Sequence, residues 1–365
     1  MIKCIHFISV DCIGGVQCAA RSCLAEESSC EVDIRLLYLS GCVSFQNNSF
    51  QNNGKILAFK INSPDNIYAN INNPIAHLWA FFTLIQQKPD VLVCSLWRSM
   101  PVGIVYKLFF PKVKFVCFLH SALPLHIVDK FLNHVAMYMA DAIWADSKMT
   151  LTARVPKYFQ SWKPLRVISF ILEKVIPKKL PANAPIFVFW GRLDYMKGID
   201  RSLRFFATTY KARPDACFYL YGPDGNVAQD IQTLAKDLGV PGNVHFMGLT
   251  NFDEIKSMAS NYSYYLQLSR KEGMAMSVVE AMQLGLVPIV TPVGEIVNYC
   301  QDHINAVIVE DIDVAANRLL ALLDDAIKYH ELQKNAVNRW VSPLLYRDDF
   351  STAVKEIYRE NIRIH

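Results

Sequence analysis

Ile186-Phe187-Val188-Phe189-Trp190-Gly191-Arg192-Leu193-Asp194-Tyr195-Met196-Lys197-Gly198 reads as an apolar strand that ends in a glycine turn, after which helical periodicity begins at Ile199. A strand that passes through a short turn into a helix is the repeating unit of a parallel sheet covered by helices. The turn carries two cations. Arg192 offers a planar fork and Lys197 a compact charge, a pair that suits a diphosphate, and open parallel sheets bind ligands at the carboxyl ends of their strands. Alone, a basic residue at a strand end is common and decides nothing.

Farther along, Glu272-Gly273-Met274-Ala275-Met276-Ser277-Val278-Val279-Glu280 sets two carboxylates around a small-residue turn that opens into a helix, expected over Met276 to Leu284. Gly273 and Ala275 let the backbone N–H groups of the Gly273–Met276 turn approach an anionic ligand, toward which the helix also points its positive end. Glu280 on the first turns can accept from two vicinal hydroxyls, as on a ribose, while Glu272 faces whatever lies beyond the phosphates. Glutamates flanking a helix start are also ordinary first-turn charge on a solvated face. A third element opens the chain: the strand Ile2–Ser9 turns through Gly14 and Gly15 into a helix running toward Cys30. Paired glycines permit close backbone approach to phosphate or sugar, but the G-x-G-x-x-G of a nicotinamide or flavin site is absent.

Apolar strands alternate with amphipathic helices along the whole chain. The first series is expected at Ile2–Ser9, Val32–Ser40, Lys55–Asn62, Val91–Leu96, Val113–Leu119 and Ala142–Ala145. The second comprises Ile186–Trp190, Ala216–Tyr221, Asn243–Met247, Ser263–Leu268, Val287–Val290 and Ala306–Val309, with helices such as Ile199–Lys211 and Ala228–Leu238 between them. Two doubly wound α/β domains follow: 1–172, a proline-interrupted linker 173–185, and 186–345, with a C-terminal helix in 346–365. Ser44-Phe45-Gln46-Asn47-Asn48 is repeated at once as Ser49-Phe50-Gln51-Asn52-Asn53, a polar duplication expected to form a loop over the acceptor side.

At 365 residues and 52% hydrophobic side chains, the chain can bury two cores. Its ten cysteines form no C-x2-C pair and often fall inside apolar segments, which points to reduced thiols and a cytoplasmic setting. No charged-then-apolar leader is read at the start, and no apolar run approaches the ~18 residues of a membrane span. The net charge of +4 is too small to argue for nucleic acid. It is uneven, however: residues 1–168 hold 16 Lys+Arg against 10 Asp+Glu, the remainder 21 against 23. Within the basic half, Val105–Lys114 mixes aromatic and cationic residues that suit an anionic membrane face and equally an ordinary helix end with surface lysines.

The three elements, in this order, resemble the retaining glycosyltransferases of the GT-B fold with a Glu-x7-Glu signature, the family 4-like group of bacterial surface-polysaccharide assembly. The resemblance is strongest from Phe187 to Val309, including Tyr221-Gly222-Pro223-Asp224-Gly225, Val244–Gly248, and the Ala281-Met282 and Gly285 that follow Glu280. It implies two Rossmann-like domains facing each other across a cleft, with the last helix folded back onto the first. It implies that Arg192 and Lys197 hold the donor diphosphate, Glu280 the ribose and Glu272 the transferred sugar. Gly14, Gly15, Gly273, Met274, Ala275 and Met276 would line the donor, and a turn around His245, Phe246 and Met247 its base. His120, closing the strand Val113–Leu119, would touch the sugar and the departing phosphate oxygen; without the family it reads as a structural strand-end histidine.

The implied reaction moves a hexose or N-acetylhexosamine from a nucleoside-diphosphate sugar, with uridine the most frequent base of the family, to a glycan acceptor that is lipid-linked or part of a lipopolysaccharide or O-antigen. Neither a cofactor nor a metal is expected, since no dense acidic cluster appears and neither Asp194 nor Asp224 forms a D-x-D pair. The expected location is cytoplasmic, peripheral to the inner membrane face. Two departures stand out: Leu268-Ser269 where many relatives have Pro-Ser, and Ala275 where a second glycine is frequent. A sugar-nucleotide epimerase or phosphorylase of the same fold, and a non-catalytic nucleotide-sugar-binding module, remain the alternative readings.

Overall fold

The computed structural model describes residues 1–11, 14–24, 31–42, 55–59, 61–62 and 70–359. The duplicated segment 44–53 lies outside them, as do residues 360–365 of the expected last helix. The chain divides into two compact units, Met1–Leu172 with Leu344–His365, and Glu173–Pro343.

In the first unit the strands are β1 (Ile2–Val10), β2 (Val32–Cys42), β3 (Ile56–Ala58), β4 (Ile61–Asn62), β5 (Val91–Ser95), β6 (Lys114–Leu119), β7 (Ala142–Ala145) and β8 (Leu165–Val167). Every pairing is parallel, in the order β3-β2-β1-β5-β6-β7-β8 with β4 beside β2. Helices cover such a sheet on both faces, so its strands are continuous apolar runs rather than alternating ones, and all five residues of β5 are buried. The stretch Lys55–Asn62 contributes two short strands instead of one. β8 escapes sequence reading because three residues after Pro164 carry too little pattern.

The helix Tyr346–Arg359 belongs to this first unit. Phe350 packs its ring 5.1 Å from His6 and 5.5 Å from Trp144. Asp349 at the helix start accepts from Arg166 Nη2 at 2.6 Å and from the Ser169 backbone N–H at 2.8 Å. A buried carboxylate with two such donors fixes the entry of the helix.

In the second unit β9 (Ile186–Trp190), β10 (Cys217–Tyr221), β11 (Val244–Gly248), β12 (Tyr264–Gln267), β13 (Val287–Val290) and β14 (Val307–Ile308) form a parallel sheet in the order β11-β10-β9-β12-β13-β14. Its core is aromatic: Phe187 stacks on Tyr264 at 5.6 Å and Phe189 on Tyr265 at 6.1 Å. Residues 173–185 form no helix or strand, yet they lie along this unit. The Val175 N–H donates to Gln283 Oε1, Asn183 Nδ2 to the Leu322 carbonyl and the Ala184 N–H to Ser263 Oγ.

Candidate functional site

The strand order of the second unit reverses between β9 and β12, and at such a switch point the connections leave on opposite faces and a crevice opens at the carboxyl ends. These two strands pair only through Phe187–Tyr264 and Val188–Tyr265, so their last residues are released from the ladder. The turn after β9 carries Gly191, Arg192 and Lys197, and the turn after β12 carries Ser269 to Met276. Topology therefore brings together two motifs separated by a long stretch of sequence.

Glu272 is the centre of this cluster. Its side chain is buried, and Oε1 accepts from Lys197 Nζ at 2.9 Å, Gln267 Nε2 at 2.7 Å and Ser269 Oγ at 2.6 Å. Oε2 accepts from Lys197 Nζ at 2.9 Å and, among the described residues, from nothing else, leaving acceptor capacity for a ligand hydroxyl. Gln267 is itself oriented. The Tyr265 hydroxyl lies 2.7 Å from its Oε1 and Ser277 Oγ donates to the same atom at 3.1 Å, so the amide must present its N–H groups to the carboxylate. Lys197, expected on a diphosphate, spends its charge on Glu272 in this structure. The close approach of the two turns depends on Gly198: at φ +67° a Cβ there would lie 1.8 Å from the Leu268 carbonyl oxygen.

Arg192 is the exposed cation of the site, with 65% of its side chain accessible. Its Nε donates to Asp194 Oδ2 at 2.6 Å, while Asp194 Oδ1 accepts from the Lys197 N–H at 2.8 Å. Asp194 thus builds the turn. Asp224 serves likewise, accepting from the Val227 and Ala228 N–H groups at the start of the helix Ala228–Asp237.

Ala275 caps the helix Met276–Gln283 in the left-handed conformation, φ +54°. The departure from glycine noted in the sequence falls on the residue where glycine is conformationally cheapest. The turn is pinned from behind, where the Tyr299 hydroxyl donates to the Met274 carbonyl at 2.7 Å and the Glu295 N–H to the Gly273 carbonyl at 2.9 Å. Its outer N–H groups and the first ones of the helix have no helical carbonyl to bond, which suits an anion.

Glu280 accepts from Trp190 Nε1 at 2.8 Å. Burial pushes its carboxyl up from the usual 4.5 to about 7, with Glu173 adding to the rise while Trp190 and Lys256 oppose it. Trp190, Gln267, Ser269 and Tyr265 are the residues that motif reasoning passed over as site residues. The available signal was a glutamine and a serine closing an otherwise apolar strand, since polar groups with no solvent access need partners.

Not every expected donor residue joins this cluster. His245, Phe246 and Met247 lie within the edge strand β11, where the strand Asn243–Met247 is expected, and the chain leaves the strand only after Gly248. His245 stacks on Tyr219 with ring centroids 4.7 Å apart, and Met247, 48% exposed, is the one of the three beside the strand's carboxyl end. Gly14 and Gly15 belong to the first unit, where Gly14 caps the helix Gly15–Ser22 in an extended conformation open to any residue. His120 follows β6 in that unit, its Nε2 lying 2.8 Å from Ser95 Oγ.

Among the described residues, no group of three or more His, Cys, Asp or Glu could hold a metal ion, no disulfide occurs, and no helix is long and apolar enough to cross a membrane. The patch Val105–Lys114 is only partly available. Lys107 is tied to the Pro111 and Val113 carbonyls and to Asp141, and Tyr106 and Val113 are buried. Leu108 and Phe109 remain exposed, as do Ile75, Leu78 and Phe82 of the helix Pro74–Gln87, whose Phe81 ring lies 6.0 Å from that of Phe109.

Comparison with known proteins fits this geometry. Residues 173–339 match the family described as glycosyl transferases group 1. GDP-mannose:cellobiosyl-diphosphopolyprenol alpha-mannosyltransferase of Xanthomonas oryzae is 23% identical over 158 residues, 42% of this chain and 42% of that protein. D-inositol 3-phosphate glycosyltransferase of Corynebacterium kroppenstedtii is 26% identical over 197 residues, 50% and 42% of the two chains. The matches span less than half the length of these curated relatives. In solved structures, HepE of Anabaena in complex with UDP superposes with a TM-score of 0.74 at 17% identity, covering 100% of both chains. The fold is GT-B, two parallel-sheet α/β domains.

Proposed function

We propose that this chain is a retaining glycosyltransferase of group 1 that moves a hexose or N-acetylhexosamine from a nucleoside diphosphate, uridine diphosphate foremost, to a hydroxyl of a lipid-linked or lipopolysaccharide-type oligosaccharide. One observation carries the reading: at the β9/β12 switch point, Glu272 is held by Lys197, Gln267 and Ser269 while Glu280 is held by Trp190. Two oriented carboxylates flank a turn rich in free N–H groups and an exposed arginine. That is a cradle for a pyrophosphate with a hydroxyl-bearing ring on either side. The UDP named for HepE supports the donor class, and the diphosphopolyprenol named for the Xanthomonas relative supports the acceptor class.

Negative charge grows on the departing diphosphate. Arg192, Lys197 and the N–H groups of the Gly273–Ser277 turn supply positive charge there without a divalent metal, Lys197 exchanging one carboxylate contact for a phosphate oxygen. Glu272 sits among donors that hold it in place, so it orients the sugar rather than attacking it. The acceptor proton passes to the donor phosphate oxygen on the same face of the sugar, which retains configuration. His120 is assigned to the transferred sugar as a neutral hydrogen-bonding group. The apolar face of Leu108, Phe109, Leu78 and Phe82 on a net basic N-terminal half is assigned to an anionic membrane surface, where a lipid-linked acceptor resides.

Alanine at Glu272, Arg192 or Lys197 should each cost on the order of 10²–10³ in transfer rate with the circular dichroism spectrum unchanged. Full activity in the Arg192/Lys197 double variant overturns the assignment. Flotation with anionic liposomes, lost on Leu108→Asp with Phe109→Asp, tests the membrane face; equal flotation of both forms overturns it.

A further inference from the structure

The first unit has its own switch point, between β1 and β5, and the turn that leaves it carries an arginine without a counter-ion. After β5 the chain makes one tight turn, Trp97–Ser99, which Leu96 enters at φ +66°, a strained value for a leucine. Ser99 Oγ donates toward the Ser95 and Leu96 carbonyls and holds the turn closed. Strain kept in place at the carboxyl end of a parallel sheet, where such sheets bind ligands, points to a side chain whose position matters.

That side chain is Arg98. Its Cζ lies 4.2 Å from the centre of the Trp97 ring, and its Nε donates to Asn72 Oδ1 at 3.0 Å. Both contacts fix the guanidinium and neither neutralises it, while partial burial pulls its pKa down from the ordinary value. Among the described residues, the other six arginines of this unit, Arg21, Arg35, Arg154, Arg166, Arg347 and Arg359, each meet a carboxylate. Arg98 meets none, and its Nη groups are left for an anion. Residues 96–131 hold five Lys and Arg against a single carboxylate, Asp129. Asp129 is buried and spent on the Leu125 N–H, Asn133 and Arg154.

Apolar surface lies beside this cation. The His126 ring stands edge-on to Trp97, centroids 4.8 Å apart, and its Nδ1 accepts from the Asp129 N–H at 3.1 Å, which leaves the ring proton on Nε2. Around it Leu123, Leu125, Ile127, Val128 and Phe131 all face solvent, Leu125 with 77% and Ile127 with 81% exposure. Clustered apolar side chains at a ligand-binding end are surface waiting to be covered. A free glycan gains little from that surface, and a flat bilayer does not call for one fixed, indole-backed guanidinium. A phosphate joined to a hydrocarbon chain uses both.

We propose that the Trp97–Ser99 turn and residues 123–131 form a site for the phosphorylated end of a polyprenyl-type lipid. Arg98 and His126 Nε2 take the phosphate oxygens, and the first isoprene units lie over Leu123, Leu125 and Ile127. Its use as the acceptor site rests on the function proposed above; the binding does not. Farnesyl diphosphate, a short soluble probe of this chemistry, is titrated into the full chain, and hydrogen exchange locates it. Protection is expected within 96–99 and 121–131. Arg98→Gln should weaken binding about 10–100-fold, the range of a charge-assisted hydrogen bond. Leu125→Asp with Ile127→Asp should abolish it, with the circular dichroism spectrum and the affinity for UDP unchanged in both variants. Inorganic pyrophosphate and farnesol should each bind at least about tenfold more weakly than the joined molecule. Equal affinity in Arg98→Gln, or protection confined to 191–198 and 272–277, overturns the site. So does a dimer, or uptake on anionic vesicles, that is lost in Leu125→Asp with Ile127→Asp while farnesyl diphosphate is not bound, since the apolar segment then belongs to a second copy or to a bilayer. Farnesyl diphosphate bound as expected by a protein without affinity for any nucleoside-diphosphate sugar keeps the site and overturns the transferase reading.

Discussion

On the donor assignment proposed above, Glu280 should couple donor binding to pH, and the size of the effect follows from its surroundings. Its carboxyl is raised from 4.5 to about 7 by burial beside Trp190, so the free protein is stabilised while Glu280 is protonated. That contribution is complete below about 4.5 and is lost as pH rises through about 7. The gap corresponds to about 3 kcal/mol between protonation states; because the side chain keeps partial contact with water, about 1–2 kcal/mol is expected in practice. A ribose reverses the preference, because a pair of hydroxyls binds the carboxylate better than the acid. With a binding-competent fraction set by a pKa near 7, apparent donor affinity should tighten about tenfold between pH 6 and pH 8. Isothermal titration with a nucleoside-diphosphate sugar, whose diester diphosphate does not titrate in this range, measures the affinity. Denaturant unfolding at the same pH values measures the stability. Glu280→Gln keeps the bond from Trp190, removes the proton, and should flatten both profiles while weakening donor binding at pH 8. A Glu280→Gln profile parallel to that of the unmodified protein in both measurements would refute the reasoning.

Three further outcomes follow from particular contacts. Ala275→Gly relieves the left-handed alanine before the helix Met276–Gln283 and should stabilise the second unit by about 0.5–1 kcal/mol, read as a rise in its denaturant midpoint at constant slope. Lys197→Met leaves Glu272 buried without its cation; it should cost about 2 kcal/mol by the same measurement, and the added substitution Glu272→Gln should recover most of that loss. Phe350→Ala empties the space between His6 and Trp144 and should cost about 3–5 kcal/mol, read as earlier unfolding of the first unit and loss of protection of β1 in hydrogen exchange.

Much of this was legible in the chain itself. Apolar runs such as Ile186–Trp190 and Val91–Ser95, each followed by a turn and an amphipathic helix, leave parallel doubly wound sheets as the one economical packing, because both faces of such strands must be covered. Motif spacing also marked Glu272, Glu280, Arg192 and Lys197, since charge at the ends of apolar strands is local information. Short or edge elements were less legible. β8 is too brief to show a period, and within the strand expected at Asn243–Met247 only the ladder with β10 sets His245 opposite Tyr219.

What the sequence determined by itself was the alternation of elements and the chemistry available at their ends. Tertiary structure alone decided which ends meet. That Lys197 bonds Glu272, that Trp190 holds Glu280, and that one serine hydroxyl serves both His6 and His120 depend on strand order and register. Periodicity says only that a side chain points inward; the order in which parallel strands line up decides which other inward-pointing group it meets, and with it each group's proton and charge.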